Sequence, residues 1–366
     1  MDAVFHSNEP LDITRPRVIN VEGYCIRDFQ NFRQDHKDSN NKTENLAPYD
    51  EYDELVNCTE IEDNFNLNVN DSGKFIIKFH VPSCFMGIII GPRGSVRHKI
   101  EQESRTVIEM RKGISDISVI GRSERDVITA KNRIDLLLWQ ARDKYRLTHF
   151  ISIPLVTDLI KYNFDSFKST ILNDSIKING LHPSMFQNPN KIHLTISPLV
   201  LVDSIEEEHA IKILKECNEK VIRPMFHNVE SLKICLHGVE IMNDDPTSVD
   251  VLYGKIRIEP PKYNDLLQKM ADEIYTYFTD KGLVRKQFDS VKLHATLINS
   301  IFRKTDKQNK NTEEKVGRKT FDASYILKRF KNYNFGEADL NFIHLSIRFT
   351  KSESSYYDAL CTVSIK

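Results

Sequence analysis

The sequence predicts an α+β protein built mainly of antiparallel strands, and three observations carry that prediction. Apolar and polar residues alternate in short runs such as "KIHLTISPLV" (191–200) and "SVKLHATLINS" (290–300), the period-2 pattern of half-buried strands. A block of about 70 residues from Gly73 onward reads β-α-α-β-β-α. The remaining helical stretches are amphipathic, so each has one face to lay on a sheet.

Composition sets the bounds. With 366 residues, 40% of them hydrophobic, the chain can bury the cores of two or three domains. A net charge of −1 excludes a general polycation but not a local basic groove. The six cysteines (Cys25, Cys58, Cys84, Cys217, Cys235, Cys361) form no C-x-x-C pair and no Cys/His set at zinc-ligand spacing, which argues against a disulfide framework or a zinc site. The N-terminal stretch has no apolar signal region, and no apolar run approaches the roughly 18 residues of a membrane span. The chain therefore reads as soluble and intracellular, with no membrane partner.

Taken in order, residues 1–71 read as an acidic, largely disordered arm, rich in Asn, Asp and Glu and without sustained period. Such an arm serves solubility and spacing, or docks a partner through Val18, Ile19, Val21 and Tyr24. A second region, 72–144, opens with the strand "GKFIIKFHVP" and a short helix "SCFMGIII". After "GPRG" come a polar helix, "SVRHKIEQES", and the strands "TVIEMR" and "ISVIG". A helix from about Ser123 to Tyr145 ends the region, with Val127, Ala130, Ile134, Leu137, Leu138 and Ala141 at helical spacing. Trp139 on it belongs to a core or a domain interface.

The third region, 145–366, starts with a strand at 147–155 and a helix at 157–172. After the strand at 191–200, a helix at 205–221 is expected to bury Ile205, His209, Ile213, Leu214, Cys217 and Val221. Strands at 231–241 and 249–258, a helix at 263–280 and the strand at 290–300 follow. A polar insert, 303–320, carries seven Lys/Arg and three Asp/Glu. It reads as a solvated loop, or as an electrostatic hold on substrate phosphates. A helix at 322–331 and strands at "FIHLSIRFT" and "ALCTVSIK" end the chain.

The first candidate site is Gly91-Pro92-Arg93-Gly94. Two glycines let backbone approach a ligand closely, the helix after them offers free N–H groups to a phosphate, and Arg93 adds a cation. G-x-x-G alone is also what a plain inter-helix turn looks like. With "IIIGPRG", its flanking helices and the β-α-α-β-β-α order, the block resembles a KH domain of the eukaryotic type. In that family the loop clamps a single-stranded nucleic-acid backbone against an apolar groove. Gly91, Gly94 and the apolar Ile100 match; Arg97 stands where the family has an apolar residue.

The second candidate site is the pair of H-x-T strands. His193 and Thr195 share the face opposite Ile192, Leu194 and Ile196, with Ser197 beside them, and His294 and Thr296 lie opposite Val291, Leu293, Ala295 and Leu297. With 12 His in the chain, chance alone supplies about 0.6 H-x-T. H-x-S recurs at His182 and at His344, the latter read as structural. What distinguishes the two H-x-T units is their place in apolar strands, where a polar pair costs desolvation unless it lines a cleft. Two imidazoles can serve as base and acid at neutral pH, and the threonine hydroxyls can hold the nonbridging oxygens of a phosphodiester. No metal is needed, and no carboxylate cluster or cofactor motif is seen; Asp244 and Asp245 read as a turn.

These residues resemble the 2H phosphoesterase family, named for its two H-x-T/S motifs. The resemblance implies two lobes of antiparallel sheet and helices around a central cleft, with action on RNA ends, cyclic phosphates or oligonucleotides. His193, Thr195, His294 and Thr296 match its motif residue by residue. "FQNPNKIHLTI", "EIMNDDPTSVDVLYGKI" and "SVKLHATLINSIFRK" further resemble a family that joins a KH module to a 2H domain. That likeness implies a nuclear subunit of a helicase-containing complex of transcription coactivation and alkylation repair, bound to single-stranded RNA or DNA. Three functions stay open: a metal-independent RNA phosphodiesterase, a non-catalytic RNA-binding subunit whose 2H cleft only binds nucleotide or RNA ends, and a scaffold working through its acidic arm.

Overall fold

The computed structural model describes residues 17–21, 24–28, 67–110, 115–229, 231–304, 319–349 and 355–366. The chain divides into two units, Met1–Asp63 and Asn64–Lys366. In the first, β1 (Arg17–Val21) and β2 (Tyr24–Asp28) pair antiparallel, with Val21 opposite Tyr24. This ribbon contains the four proposed anchor residues; the rest of the expected arm up to residue 66 lies outside the described residues, as does 305–318 of the polar insert.

The second unit opens with β3 (Asn68–Val69), β4 (Phe75–His80), α1 (Ser83–Ile90), α2 (Ser95–Ser104), β5 (Thr106–Met110), β6 (Asp116–Gly121) and α3 (Glu124–Asp143). The strands form an antiparallel sheet in the order β3-β4-β6-β5. Ser123 caps α3 by accepting from the Asp126 N–H at 3.2 Å, and all six apolar positions expected on that helix are buried. Phe85, Ile89 and Ile100 complete this core.

The remainder is one eight-stranded antiparallel sheet with helices packed on it. Its elements are β7 (His149–Pro154), α4 (Asp158–Leu172), β8 (His193–Leu199), α5 (Ser204–Cys217), α6 (Arg223–Phe226), β9 (Lys233–Ile241) and β10 (Val251–Glu259). They continue as α7 (Asn264–Asp280), β11 (Ala295–Asn299), α8 (Ser324–Arg329), β12 (Asn334–Asp339), β13 (Phe342–Ile347) and β14 (Ala359–Ser364). The strand order is β12-β9-β10-β11-β8-β7-β13-β14. It reads as two four-stranded halves, each led by an H-x-T strand, that meet where β11 pairs β8 through Ala295 and Leu194.

Two local expectations are corrected. On α5 the buried residues are Glu206, Ala210, Ile213, Leu214 and Cys217, whereas Ile205 and His209 are exposed. The helix is rotated because the Glu206 carboxylate is drawn inward onto Arg142 of α3. The histidines also stand at the starts of their strands rather than in the middle: β8 begins at His193, and β11 begins one residue after His294. A 3-10 turn over Pro189–Lys191 delays β8. Upstream of β11 the backbone is bonded to α7 instead of to a ladder: the Val291 N–H donates to Asp272 at 2.6 Å, and Gln268 donates to the Val291 carbonyl at 2.9 Å.

The two domains of this unit are joined at the N-terminus of α5. Asp203 caps that helix through the Glu206 N–H at 2.9 Å, and its other oxygen takes a 2.7 Å bond from His80 of β4. Arg142 pairs with Glu206, donates to the Val200 carbonyl at 2.8 Å, and lies over the rings of Phe85 and Trp139. Trp139 is thus half-buried beside the junction.

Candidate active site

The site is built by register. Ala295 faces Leu194 in an antiparallel pair, so one step in each direction sets His193 against Thr296 and Thr195 against His294. Side chains alternate along a strand, so these four share the face opposite the buried Ile192, Leu194 and Ala295. On the next strand Ser152 is paired with Thr195, and beyond it His344 is paired with Ser152. Ser197, expected to accompany His193 and Thr195, is fully buried.

The two histidines are held by the same device. His193 Nδ1 is 2.7 Å from the Lys191 carbonyl, and His294 Nδ1 is 2.7 Å from the Lys292 carbonyl. A carbonyl only accepts, so Nδ1 carries the proton in both rings, and in the neutral form each Nε2 keeps its lone pair. Each ring also meets a tyrosine edge-on, His193 against Tyr357 and His294 against Tyr253. The lysine two residues before each His lies over that same tyrosine, at 4.8 Å for Lys191 and 5.5 Å for Lys292. The repeat is therefore K-φ-H-φ-T, "KIHLT" and "KLHAT", longer than H-x-T. The lysines were legible in the sequence as part of a five-residue repeat; the tyrosines, remote in the chain, were not.

Enclosure separates the two. His193 packs against Phe150 at 4.9 Å and Tyr356 at 6.2 Å between ring centroids, besides Tyr357. Burial pushes its pKa down to about 4, helped by the like charge of His294 and opposed by the Lys191 carbonyl. His294 is shifted down too, chiefly by burial, with the Lys292 carbonyl opposing and the Lys292 charge adding to the shift. The other H-x-S histidines behave differently. His182 caps a 3-10 turn, accepting from the Ser184 N–H at 3.2 Å. His344 stands on β13 with Nδ1 buried and without a hydrogen-bond partner among the described residues. Asp245 accepts from the Thr247 N–H at 2.9 Å, as a turn residue does.

At the first candidate site, Gly91 and Gly94 have φ of 69° and 82°. A Cβ at Gly91 would lie 2.4 Å from Val96 Cγ2, so both the backbone and the space there call for glycine. Arg93 also takes positive φ, at 53°, and Pro92 opens the turn. Ile100 is buried as expected, while Arg97 leans toward Glu101 at 3.7 Å. Ile88 and Ile90 of α1 remain partly exposed beside the loop.

A KH-type β-α-α-β-β-α domain followed by a sheet that presents two H-φ-T units on one face defines a class of chain: a KH domain joined to a 2H phosphoesterase-like domain. Residues 76–136 match the KH domain family, and residues 147–365 match the AKAP7 2'5' RNA ligase-like domain family. The chain is 32% identical over 361 residues to the mouse protein Activating signal cointegrator 1 complex subunit 1, covering 95% of this chain and 98% of that one. The chain belongs to this family of KH-bearing 2'5' RNA ligase-like proteins. Among solved structures, E. coli LigT complexed with NADP+ is 13% identical, covering 60% of this chain and 96% of that one with a TM-score of 0.36. A phosphoesterase crystal structure is 12% identical, covering 60% of this chain and 98% of that one with a TM-score of 0.35.

Proposed function

We propose that the protein is a metal-independent phosphodiesterase acting on RNA, with single-stranded RNA or DNA gripped at Gly91-Pro92-Arg93-Gly94 and cleavage at His193, Thr195, His294 and Thr296. The observation that supports this most is the register at Ala295 and Leu194, which gathers both histidines and both threonines on one face with each Nε2 available. His193, the more enclosed and more readily neutral ring, is the base: its Nε2 takes the proton of the attacking hydroxyl or water. His294, the more open ring, is the acid: its Nε2–H is given to the leaving oxygen. The threonine hydroxyls donate to nonbridging oxygens as charge builds on them. By its likeness to the mouse subunit, the chain is proposed to work as a subunit of a cointegrator complex; a nuclear setting and a helicase and repair role are part of the same proposal and rest on the family resemblance of the sequence alone.

The test is cleavage in EDTA of short oligonucleotides with 3′,5′ linkages, 2′,5′ linkages and terminal 2′,3′-cyclic phosphates. Turnover that falls by about 10²-fold or more in both His193→Ala and His294→Ala supports the reading and names the substrate class. No turnover on any substrate, with RNA binding intact, would make this a binding subunit.

A further inference from the structure

The pseudo-twofold pattern of the site breaks on the His193 side, where Phe150 and Tyr356 add to the shared set. Each histidine has its carbonyl, its tyrosine and its lysine, but His193 alone has Tyr356. That ring meets the edges of His193, Tyr357 and His344, at centroid distances of 6.2, 5.3 and 5.7 Å. Its hydroxyl is not left to solvent. It bonds the buried Ser152 hydroxyl at 2.8 Å and reaches Ser346, while Ser152 and Ser346 bond each other at 2.9 Å. Both serines are fully buried, on neighbouring strands β7 and β13, so the pin is rigid. Because Ser152 is also the ladder partner of Thr195, the pin is tied to the site's own strand.

We propose that Tyr356, pinned by Ser152 and Ser346, is a positioning residue that walls His193 from solvent and so holds it in the neutral, Nδ1-protonated form with Nε2 open to substrate. The proposal rests on the reading of His193 as the base. Burial, to which Tyr356 contributes alongside Phe150 and Tyr357, is the largest cause of the low proton affinity of His193. Among the described residues, the titratable groups facing that ring are His294 across the seam, Tyr356 and Tyr357 over it, and Lys191, which lies on Tyr357 and lends its carbonyl. Arg348 acts on Tyr357 from the end of β13. None of these is a carboxylate that would favour the imidazolium, so solvent exclusion is free to dominate.

The step is tested without requiring turnover, by NMR titration of the His193 and His294 imidazoles in the full-length protein. Removing the wall in Tyr356→Ala is expected to raise the His193 midpoint by about one pH unit or more, and Tyr356→Phe, which keeps the ring and loses the pin, by less. The His294 midpoint should stay within a few tenths of a unit. If the wild type cleaves, the acid limb of its kcat/KM profile should move up with the His193 midpoint. An unmoved His193 in Tyr356→Phe and in a folded Tyr356→Ala overturns the proposal, as does an equal rise at His294. Should the alanine variant fail to fold, the phenylalanine variant decides alone. If no substrate is cleaved, the function falls while the titration still decides the role of Tyr356.

Discussion

Burial lowers the proton affinity of both site histidines, to about 4 for His193, and pH dependence follows from that order. On the proposed mechanism, a base at His193 works above about pH 4, and an acid at His294 works below its own pKa, itself under the ordinary 6.5. The kcat/KM profile should therefore be a bell centred on the acid side of neutrality, and the kcat profile should lie at higher pH because a bound phosphate anion favours imidazolium. Stability follows the same sign. The unfolded chain binds the His193 proton near pH 6.5 and the folded one only near 4, so stability present above 6.5 is lost as pH falls through that window. Urea unfolding should show the native protein losing about 3 kcal/mol more than His193→Gln between those limits. At the G-x-x-G loop, Gly91→Ala meets both positive φ and the Val96 side chain, while Gly94→Ala meets only φ. The first should cost about 2–4 kcal/mol and the second about 1.

At the scale of elements, α5 carries a prediction of its own. Its first turn presents Asp203 and Glu206 to His80 and Arg142 across the domain junction. Removing one partner leaves a charge half-buried and unpaired, so Arg142→Met or Glu206→Gln should each destabilise by about 2–4 kcal/mol in urea unfolding, and the double variant by less than the sum. This pair also shows where sequence reading ends. Periodicity placed most strands and helices, including the buried stripe of α3, because those patterns are local; it passed over β12, the short β3 and the ribbon of β1 and β2. Periodicity put Ile205 and His209 inward on α5, because the force that rotates the helix is an ion pair to a residue 64 positions away. The same limit applies at the site. His193, Thr195, His294 and Thr296 are legible as short repeats, and the lysines extend that repeat. Tyr356, Tyr357, Tyr253 and Ser152 carry no local signal, because only sheet pairing and the fold of the C-terminal strands bring them to the histidines.

The whole molecule places its chemistry at a seam. The two halves of the eight-stranded sheet are joined through Ala295 and Leu194, and the polar site lies on the face directly above that pair. Ala295 is fully buried, with Leu194 on one side and Gly254 on the other, and the space over Gly254 is already filled by the Leu236 side chain. A larger residue at 295 has no room, so Ala295→Leu must push β8 and β11 apart. Overpacking of this kind costs about 1–3 kcal/mol, which the large surrounding core can absorb. The geometry of the proposed reaction cannot absorb it: His193 and Thr296 stand on opposite sides of the seam, as do Thr195 and His294, and displacement of about 1 Å is worth about 10²-fold in rate. The KH loop lies between α1 and α2 of the other domain and should be untouched. Ala295→Leu is thus expected to lose cleavage about 10²-fold while binding single-stranded RNA, measured by fluorescence anisotropy, as the wild type does. Parallel loss of both would mean that the cleft, rather than the KH loop, carries the RNA affinity, and the division of labour between the two domains would have to be redrawn.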